Sequence, residues 1–285
     1  MRKNSVLGAV FFVFLFFGGA LWAASEEVAE NNHVPPVIDF KAGTINTVVI
    51  DPGHGGGDWG VTIRGTHEKD INLKIARLAA EKINSGEKGI RAILTRKEDD
   101  FLRAKARAGF ANKNNASVFI SIHCDYVPAA GAEGYKIYYM RGLPLSEEKG
   151  EKEAEGKADE KEKVKVKKWA EVQRYHINES LELAGYISQY MQAALMPEES
   201  SVTGNDRDDL LPFVTRREMG VRSYILAGVD APAIQVEVGN MNNERDLSFL
   251  REEEIYDRVA YHIKEGVIHY FRDREIEKGK TEEYY

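Results

Sequence analysis

Short apolar runs alternate with amphipathic segments along most of the chain. Runs rich in β-branched and aromatic residues predict strands at Ile45–Ile50, Ile90–Thr95, Ser117–His123, Tyr135–Met140, Ser223–Ala227 and Ala233–Val238. Helices are predicted at Glu68–Ile83, Asp100–Asn114, Trp169–Leu195 and Ile255–Phe271. Met196–Arg217 contains Pro, Gly and Asp and is interpreted as a loop. This alternation predicts an α/β fold, with a mostly parallel central sheet, helices on both faces and a single domain.

The first residues have the order of a secretory signal. Arg2 and Lys3 precede an apolar run from Val6 to Ala24, which ends in small residues. We therefore predict a signal peptide over residues 1–24, a linker over 25–44, and export to the periplasm or the cell-wall side of the cytoplasmic membrane. The apolar run is nearly long enough to span a bilayer, so an uncleaved anchor is the alternative.

Length and charge limit the classes of function. The 285 residues, 43% of them hydrophobic, suffice for one sizeable domain, predicted over 45–275 with a tail over 276–285. The net charge is −7 and no long basic stripe is visible, which argues against a nucleic-acid partner. The charged run Glu147–Lys168 is interpreted as a solvated insertion, with a regulatory cover over the site as the alternative. We expect a monomer.

The one cysteine, Cys124, excludes an internal disulfide. It directly follows His123, so two interpretations are open. A cysteine at the end of a strand is most often a small, buried packing residue. The alternative is a nucleophile activated by the neighbouring imidazole.

Three titratable residues from distant parts of the chain are predicted at one edge of the sheet. His54 follows the first strand, His123 ends the third and Glu237 ends the last. Ligands gather at the carboxyl ends of parallel strands, and two histidines with a carboxylate are a common ligand set for catalytic zinc. Glu68, at a helix start, could complete the set, and its neighbour His67 is the competing ligand.

Each of these residues also has a structural interpretation. His54 could be a turn residue and His123 a hydrogen-bonded core histidine. Glu68 could be a favourable charge at a helix N-terminus. Glu237 is harder to explain in this way, because it lies in an apolar strand where an unpaired carboxylate is costly. It therefore indicates a metal or substrate role.

Four separated blocks of sequence point to a known family. They read VVIDPGHGGGDWG, HEKDINLKIA, AILTRKEDDFLRAKARAGFANKNNASVFISIHCD and APAIQVEVGNMNNERDLSFL. In this order they resemble the zinc-dependent N-acetylmuramoyl-L-alanine amidases of bacterial cell walls. The resemblance implies that His54, Glu68 and His123 bind zinc and that Glu237 is catalytic.

The resemblance also implies the reaction, which is hydrolysis of the amide bond between the muramoyl lactyl group and the L-alanine of peptidoglycan. A zinc-activated water would attack, with Glu237 as general base. Two alternatives are an inactive peptidoglycan-binding or regulatory module and a zinc peptidase or deacetylase with a similar ligand set. The sequence does not indicate which protein, if any, activates the enzyme.

The chain departs from the family pattern in two of these blocks. Gly239-Asn240-Met241-Asn242-Asn243 stands where the family often has Gly-Phe-x-Ser-Asn, and Cys124-Asp125 stands where it usually has a small residue and Asn. The charged run Glu147–Lys168 is not part of the shared pattern.

Overall fold

The computed structural model describes residues 45–129, 132–140, 176–192, 214–217 and 224–282. The predicted signal peptide, linker and charged run Glu147–Lys168 lie outside these residues. The strands are β1 Asn46–Pro52, β2 Thr62–Ile63, β3 Thr66–His67, β4 Ile90–Leu94, β5 Val118–Asp125, β6 Lys136–Met140, β7 Val214–Arg217 and β8 Ala233–Asn240. The helices are α1 Glu68–Asn84, α2 Ala104–Lys113, α3 over 176–192, α4 Tyr224–Ala227, α5 Glu244–Phe249 and α6 Glu253–Glu282.

The central sheet has the strand order β4-β1-β5-β8-β6-β7. The first four strands in this order are mutually parallel, whereas β6 runs antiparallel to β8 and carries β7 parallel to itself. Strands β2 and β3 form a separate antiparallel pair. The prediction of a mostly parallel central sheet is confirmed, and the carboxyl ends of β1, β5 and β8 meet at one edge.

Helices cover both faces of the sheet, as predicted. The larger core joins α1, α3 and α6 to one face, and α1 buries Ile71, Ile75, Ala79 and Ile83 at helical spacing. The smaller core joins α2 and α4 to the other face through Ala108, Ala111, Leu226 and Ala227. Burial of apolar surface on both faces explains the nearly continuous apolar runs of β1, β5 and β8.

The sequence predicts a strand over Ser223–Ala227, and this prediction is wrong for the described part of the segment, Tyr224–Ala227. Tyr224–Ala227 forms the short helix α4, in which the Gly228 amide donates to the carbonyls of Tyr224 and Ile225, both at 3.1 Å. A short apolar run has no clear period, so tertiary packing decides between helix and strand. Here Leu226 and Ala227 are buried against α2.

The interpretation of Met196–Arg217 as a loop is wrong at its end. Val214–Arg217 forms β7, which pairs with β6 from Ile137 to Met140. Val-Thr-Arg-Arg shows no alternation of apolar and polar residues. The strand is defined by backbone pairing with a distant segment, which local sequence does not reveal.

Two helix ends also differ from the predictions. Helix α2 begins at Ala104 rather than Asp100. The Asp100 backbone instead packs closely against the glycine-rich loop after β1, where a Cβ placed on Gly55 would lie 2.2 Å from the Asp100 carbonyl oxygen. Helix α6 continues beyond Phe271 to Glu282, within the predicted tail over 276–285, and its Arg274 pairs with Glu179 of α3. No helix within the described residues is both long and apolar enough to cross a membrane.

Candidate metal centre

The loop after β1 positions His54 at the carboxyl edge of the sheet. His54 has φ 61°, in the left-handed region that side-chain-bearing residues rarely adopt. Its neighbour Gly53 cannot carry a side chain, because a Cβ there would be 2.2 Å from Cε1 of His123. The absence of a side chain at Gly53 therefore lets the His123 imidazole approach the loop that holds His54.

Glu68 begins α1 and places its buried carboxylate between the two histidines. Its Oε1 lies 3.1 Å from Nε2 of His54 and 2.9 Å from Nδ1 of His123. The backbone amides of Cys124 and Val61 also donate to this carboxylate, at 3.1 and 2.8 Å. The site thus fixes both oxygens of a side chain that is only 2% exposed.

The electrostatics of this group favour the charged forms of Glu68 and His54. Burial raises the pKa of Glu68, but the hydrogen bonds with His123 and His54 outweigh burial and hold the pKa far below its usual range. Burial lowers the pKa of His54, and its contacts with Glu68 and Asp58 more than compensate, so this pKa is raised. A buried carboxylate between two imidazoles is stabilised by a proton or by a metal cation.

The side chains of His54, Glu68 and His123 offer one nitrogen, one oxygen and one nitrogen that all lie within 4.8 Å of one another. The competing residue His67 is oriented elsewhere: its Nδ1 lies 3.1 Å from Oγ1 of Thr62, and its ring packs edge-on against Trp59. The structure therefore brings together the three residues predicted as ligands and leaves His67 outside the group.

Glu237 lies beside this group on the neighbouring strand. It is in register with His123 across the β5–β8 pair and is 1% exposed. Gln235 donates from Nε2 to Oε1 of Glu237 at 2.6 Å, whereas Oε2 has no hydrogen-bond partner among the described residues. Burial, together with the carboxylates of Asp125 and Glu68, raises the pKa of Glu237. The free oxygen can therefore accept a proton from a bound molecule.

Two buried arginines, Arg96 and Arg107, hold the loop that carries His54. Arg107 donates to the carbonyls of Pro52 and His54, both at 2.7 Å, and to the Asp51 carboxylate at 2.8 Å. Arg96 donates to the carbonyls of Pro52 and Gly53 at 2.9 and 2.8 Å. These contacts offset the unfavourable backbone conformation of His54.

Sequence reasoning missed both arginines as part of the site. The sequence position of Arg107 could have revealed it, because Arg107 precedes Ala111 by four residues and therefore lies on the apolar face of α2. A charged residue among apolar neighbours indicates a specific buried partner, which here is Asp51.

The departure from the family pattern at Asn240 has a structural role. The Asn240 side chain donates to the Ala132 carbonyl at 2.7 Å and accepts from the Val127 amide at 3.0 Å. Asp246 accepts from the Gly134 amide at 2.8 Å and from the Asn240 amide at 2.9 Å. Together they fasten the described parts of the β5–β6 connection beside Glu237.

A cavity of about 360 Å³ opens next to the two histidines. This volume is in the range of small-ligand sites, roughly 300–1,000 Å³. The cavity is lined by His54, Asp58, Phe101, Leu102, Arg103, Ala104, Arg107, His123, Ile225 and Gln235. A substrate in it would contact both His54 and His123 as well as Gln235 of β8.

Similarity to known proteins agrees with this geometry. The chain is 29% identical over 247 residues to the N-acetylmuramoyl-L-alanine amidase AmiA of Escherichia coli K12, covering 85% of this chain and 81% of that protein. It is 24% identical over 241 residues to a germination-specific N-acetylmuramoyl-L-alanine amidase of Bacillus subtilis, with 80% of each chain covered.

The fold matches that of the N-acetylmuramoyl-L-alanine amidase AmiC2 of Nostoc punctiforme, with a TM-score of 0.57 and 25% identity. The match covers 80% of this chain and 97% of that one. The N-acetylmuramoyl-L-alanine amidase family model matches residues 48–269, which include the two histidines, Glu68 and Glu237. The chain therefore belongs to the N-acetylmuramoyl-L-alanine amidase family.

Proposed function

We propose that this amidase is zinc-dependent, with His54, Glu68 and His123 as the metal ligands and Glu237 as the group that moves the proton. It cleaves the amide bond between the N-acetylmuramoyl lactyl group and L-alanine in peptidoglycan. The observation that supports this best is the buried Glu68 oxygen, which lies within 3.1 Å of a nitrogen from each histidine.

The donor set fits a zinc ion. Zinc takes imidazole nitrogens and carboxylate oxygens at about 2.0–2.2 Å, and a catalytic site supplies three protein ligands and leaves a position open. The three donors here lie within 4.8 Å of one another. The arrangement of two histidines with one glutamate is one of the sets that catalytic zinc uses.

Zinc bound here would polarise the amide carbonyl and lower the pKa of water. The protein supplies the remaining steps through Glu237 and its support. Oε2 of Glu237 accepts the proton of the attacking water and passes a proton to the amine of L-alanine. Gln235 holds Oε1 at 2.6 Å, so the other oxygen stays directed to the reacting groups. The raised pKa of Glu237 makes it a stronger base than an ordinary carboxylate.

The cellular setting is part of the proposal. Peptidoglycan lies outside the cytoplasmic membrane, so the charged and apolar order of residues 1–24 suits an exported enzyme. The polymer is too large for a cavity of about 360 Å³. We therefore propose that a monomer binds one short part of the substrate in the cavity while the rest extends across its surface.

The decisive experiment combines metal analysis with product analysis. Purified peptidoglycan is digested with the protein, and the products are identified by mass spectrometry. The expected products are stem peptides with a free L-alanine amine and glycan strands with free lactyl carboxylates. The His54→Ala and His123→Ala variants should lose bound zinc and activity together, and EDTA should inactivate the wild type until zinc is restored.

His67→Ala is the matched control, because His67 is next to Glu68 in sequence but outside the donor group. It should keep its zinc and its activity. Products cut within the peptide stem would identify a peptidase instead. Binding of peptidoglycan without any released fragment would identify an inactive binding module.

A further inference from the structure

Arg103 is a charged side chain that lines the cavity and has no role in the proposed reaction. The cavity wall includes five ionisable side chains, namely His54, Asp58, Arg103, Arg107 and His123. The two histidines belong to the proposed metal group. Asp58 lies 2.8 Å from Nδ1 of His54 and accepts from the Gly60 amide.

The two arginines of the wall differ in what their donors contact. Arg107 is 3% exposed and uses Nε, Nη1 and Nη2 on Leu102, Asp51, Pro52 and His54. Arg103 is exposed, and none of the described residues forms a hydrogen bond or an ion pair with its side chain. A guanidinium stays charged at every physiological pH and presents five N–H donors in a planar fork. Arg103 therefore offers the cavity a cation that is free to bind a ligand.

The chemistry of the substrate decides what this cation can recognise. The sugar backbone of peptidoglycan carries no free carboxylate at the scissile position, because the lactyl group is tied up in the amide. The peptide stem carries free carboxylates on the other side of that bond. An acidic chain of net charge −7 otherwise disfavours such groups, so a local cation is needed to hold them.

We propose that Arg103 binds a carboxylate of the peptide stem and so selects stems by their charge. This rests on the proposed amidase function and assigns the cavity wall formed by Phe101, Leu102, Arg103 and Ala104 to the peptide side of the substrate. Arg103 is a specificity-determining residue in this proposal and takes no part in breaking the bond.

The test compares two soluble substrates, a muramoyl-tetrapeptide with free stem carboxylates and the same molecule with those carboxylates converted to amides. For the wild type, kcat/KM should fall about tenfold to a hundredfold on amidation, the usual value of a hydrogen bond to a charged group. Arg103→Gln should lose about as much on the free-acid substrate and should no longer distinguish the two substrates. Arg103→Lys should recover part of the difference, because it keeps the charge but not the fork.

Lys105→Gln is the matched control, since it removes another exposed positive charge, two residues after Arg103 and in the first turn of α2, but Lys105 does not line the cavity. It should behave as the wild type. Equal wild-type rates on both substrates, or a preference that survives in Arg103→Gln, would overturn the proposal while leaving the amidase function intact. Failure of the wild type to cleave either substrate would instead refute the proposed function.

Discussion

The two faces of the central sheet carry different types of side chain, and strands β5 and β8 show this most clearly. Toward α1, α3 and α6 these strands contribute apolar side chains to the larger core: Ile120, Ile122 and Cys124 from β5, and Ile234, Val236 and Val238 from β8. The opposite face changes along its length. Its first row across β1, β5 and β8 is Val49, Phe119 and Ala233, which is apolar and covered by α2 and α4.

The next two rows on this second face are polar. Asp51, Ser121 and Gln235 form one row, and His123 and Glu237 form the next, at the carboxyl ends of the strands. Successive residues of a strand point to opposite faces, so one residue can pack in the core while the next takes part in the reaction. Stability and chemistry should therefore be separable by mutating neighbours in sequence.

The largest effect on activity is expected from the polar face. Glu237→Gln keeps nearly the same shape, so β8 should pack normally and zinc should stay bound. Glutamine cannot accept a proton from the attacking water, so kcat should fall by about 10²–10⁴, or roughly 3–5 kcal/mol of barrier. Zinc stoichiometry, melting temperature and muropeptide release are measured on the same preparation.

Three outcomes distinguish the roles of Glu237. Retained zinc and stability with lost release support proton transfer. Loss of zinc together with activity would make Glu237 a fourth ligand. Lower stability with normal release per folded molecule would mean that its carboxylate is structural, and the proposed catalytic role would then be wrong.

The apolar face should give the opposite result. Ile122 is fully buried next to His123 in sequence, and Ile122→Ala should lower the free energy of unfolding by about 2–5 kcal/mol. Turnover per folded molecule should stay at the wild-type value, because the removed atoms face away from the site. Urea unfolding and activity at low temperature measure the two quantities. A fully folded variant with reduced turnover would show that the faces are coupled.

This division explains how much the sequence could predict. Parallel strands that are buried on both faces leave apolar runs, so β1, β5 and β8 were predicted close to their observed bounds. The donors His54, Glu68 and His123 stand at strand and helix ends, where topology brings distant segments together. For these three strands the element type and the carboxyl end are encoded locally, which is why they could be predicted from one sequence.

The missed features depend on partners far away in the chain. Arg96 and Arg107 bind backbone carbonyls of the loop after β1, and a carbonyl acceptor has no sequence signature. Strand β7 exists through its pairing with β6, and α4 through its packing on α2. Such choices are made by tertiary contacts, which override weak local preferences.

A smaller effect is expected at Gln235, in the second polar row. Gln235→Leu keeps the size of the side chain but removes the donor to Oε1 of Glu237. Loss of one such hydrogen bond should lower kcat by about tenfold. If Gln235 only positions Glu237, KM should stay unchanged. A loss confined to KM would instead make Gln235 a substrate contact, since it also lines the cavity.

The smallest effect on activity is expected at Cys124, which directly follows His123 but faces the apolar side. Its thiol is 2% exposed within the larger core, and burial raises its pKa well above the ordinary value. A buried, protonated thiol is a poor nucleophile. The contact between this residue and Glu68 is made by the backbone amide, which substitution leaves in place.

Cys124→Ala should therefore cost about 1 kcal/mol of stability through a small cavity and leave kcat unchanged. The folded wild type should also keep full activity in iodoacetamide. Loss of turnover in folded Cys124→Ala would revive the interpretation of this residue as a nucleophile, and the separation of the two faces would then fail at the residue next to the proposed metal ligand His123.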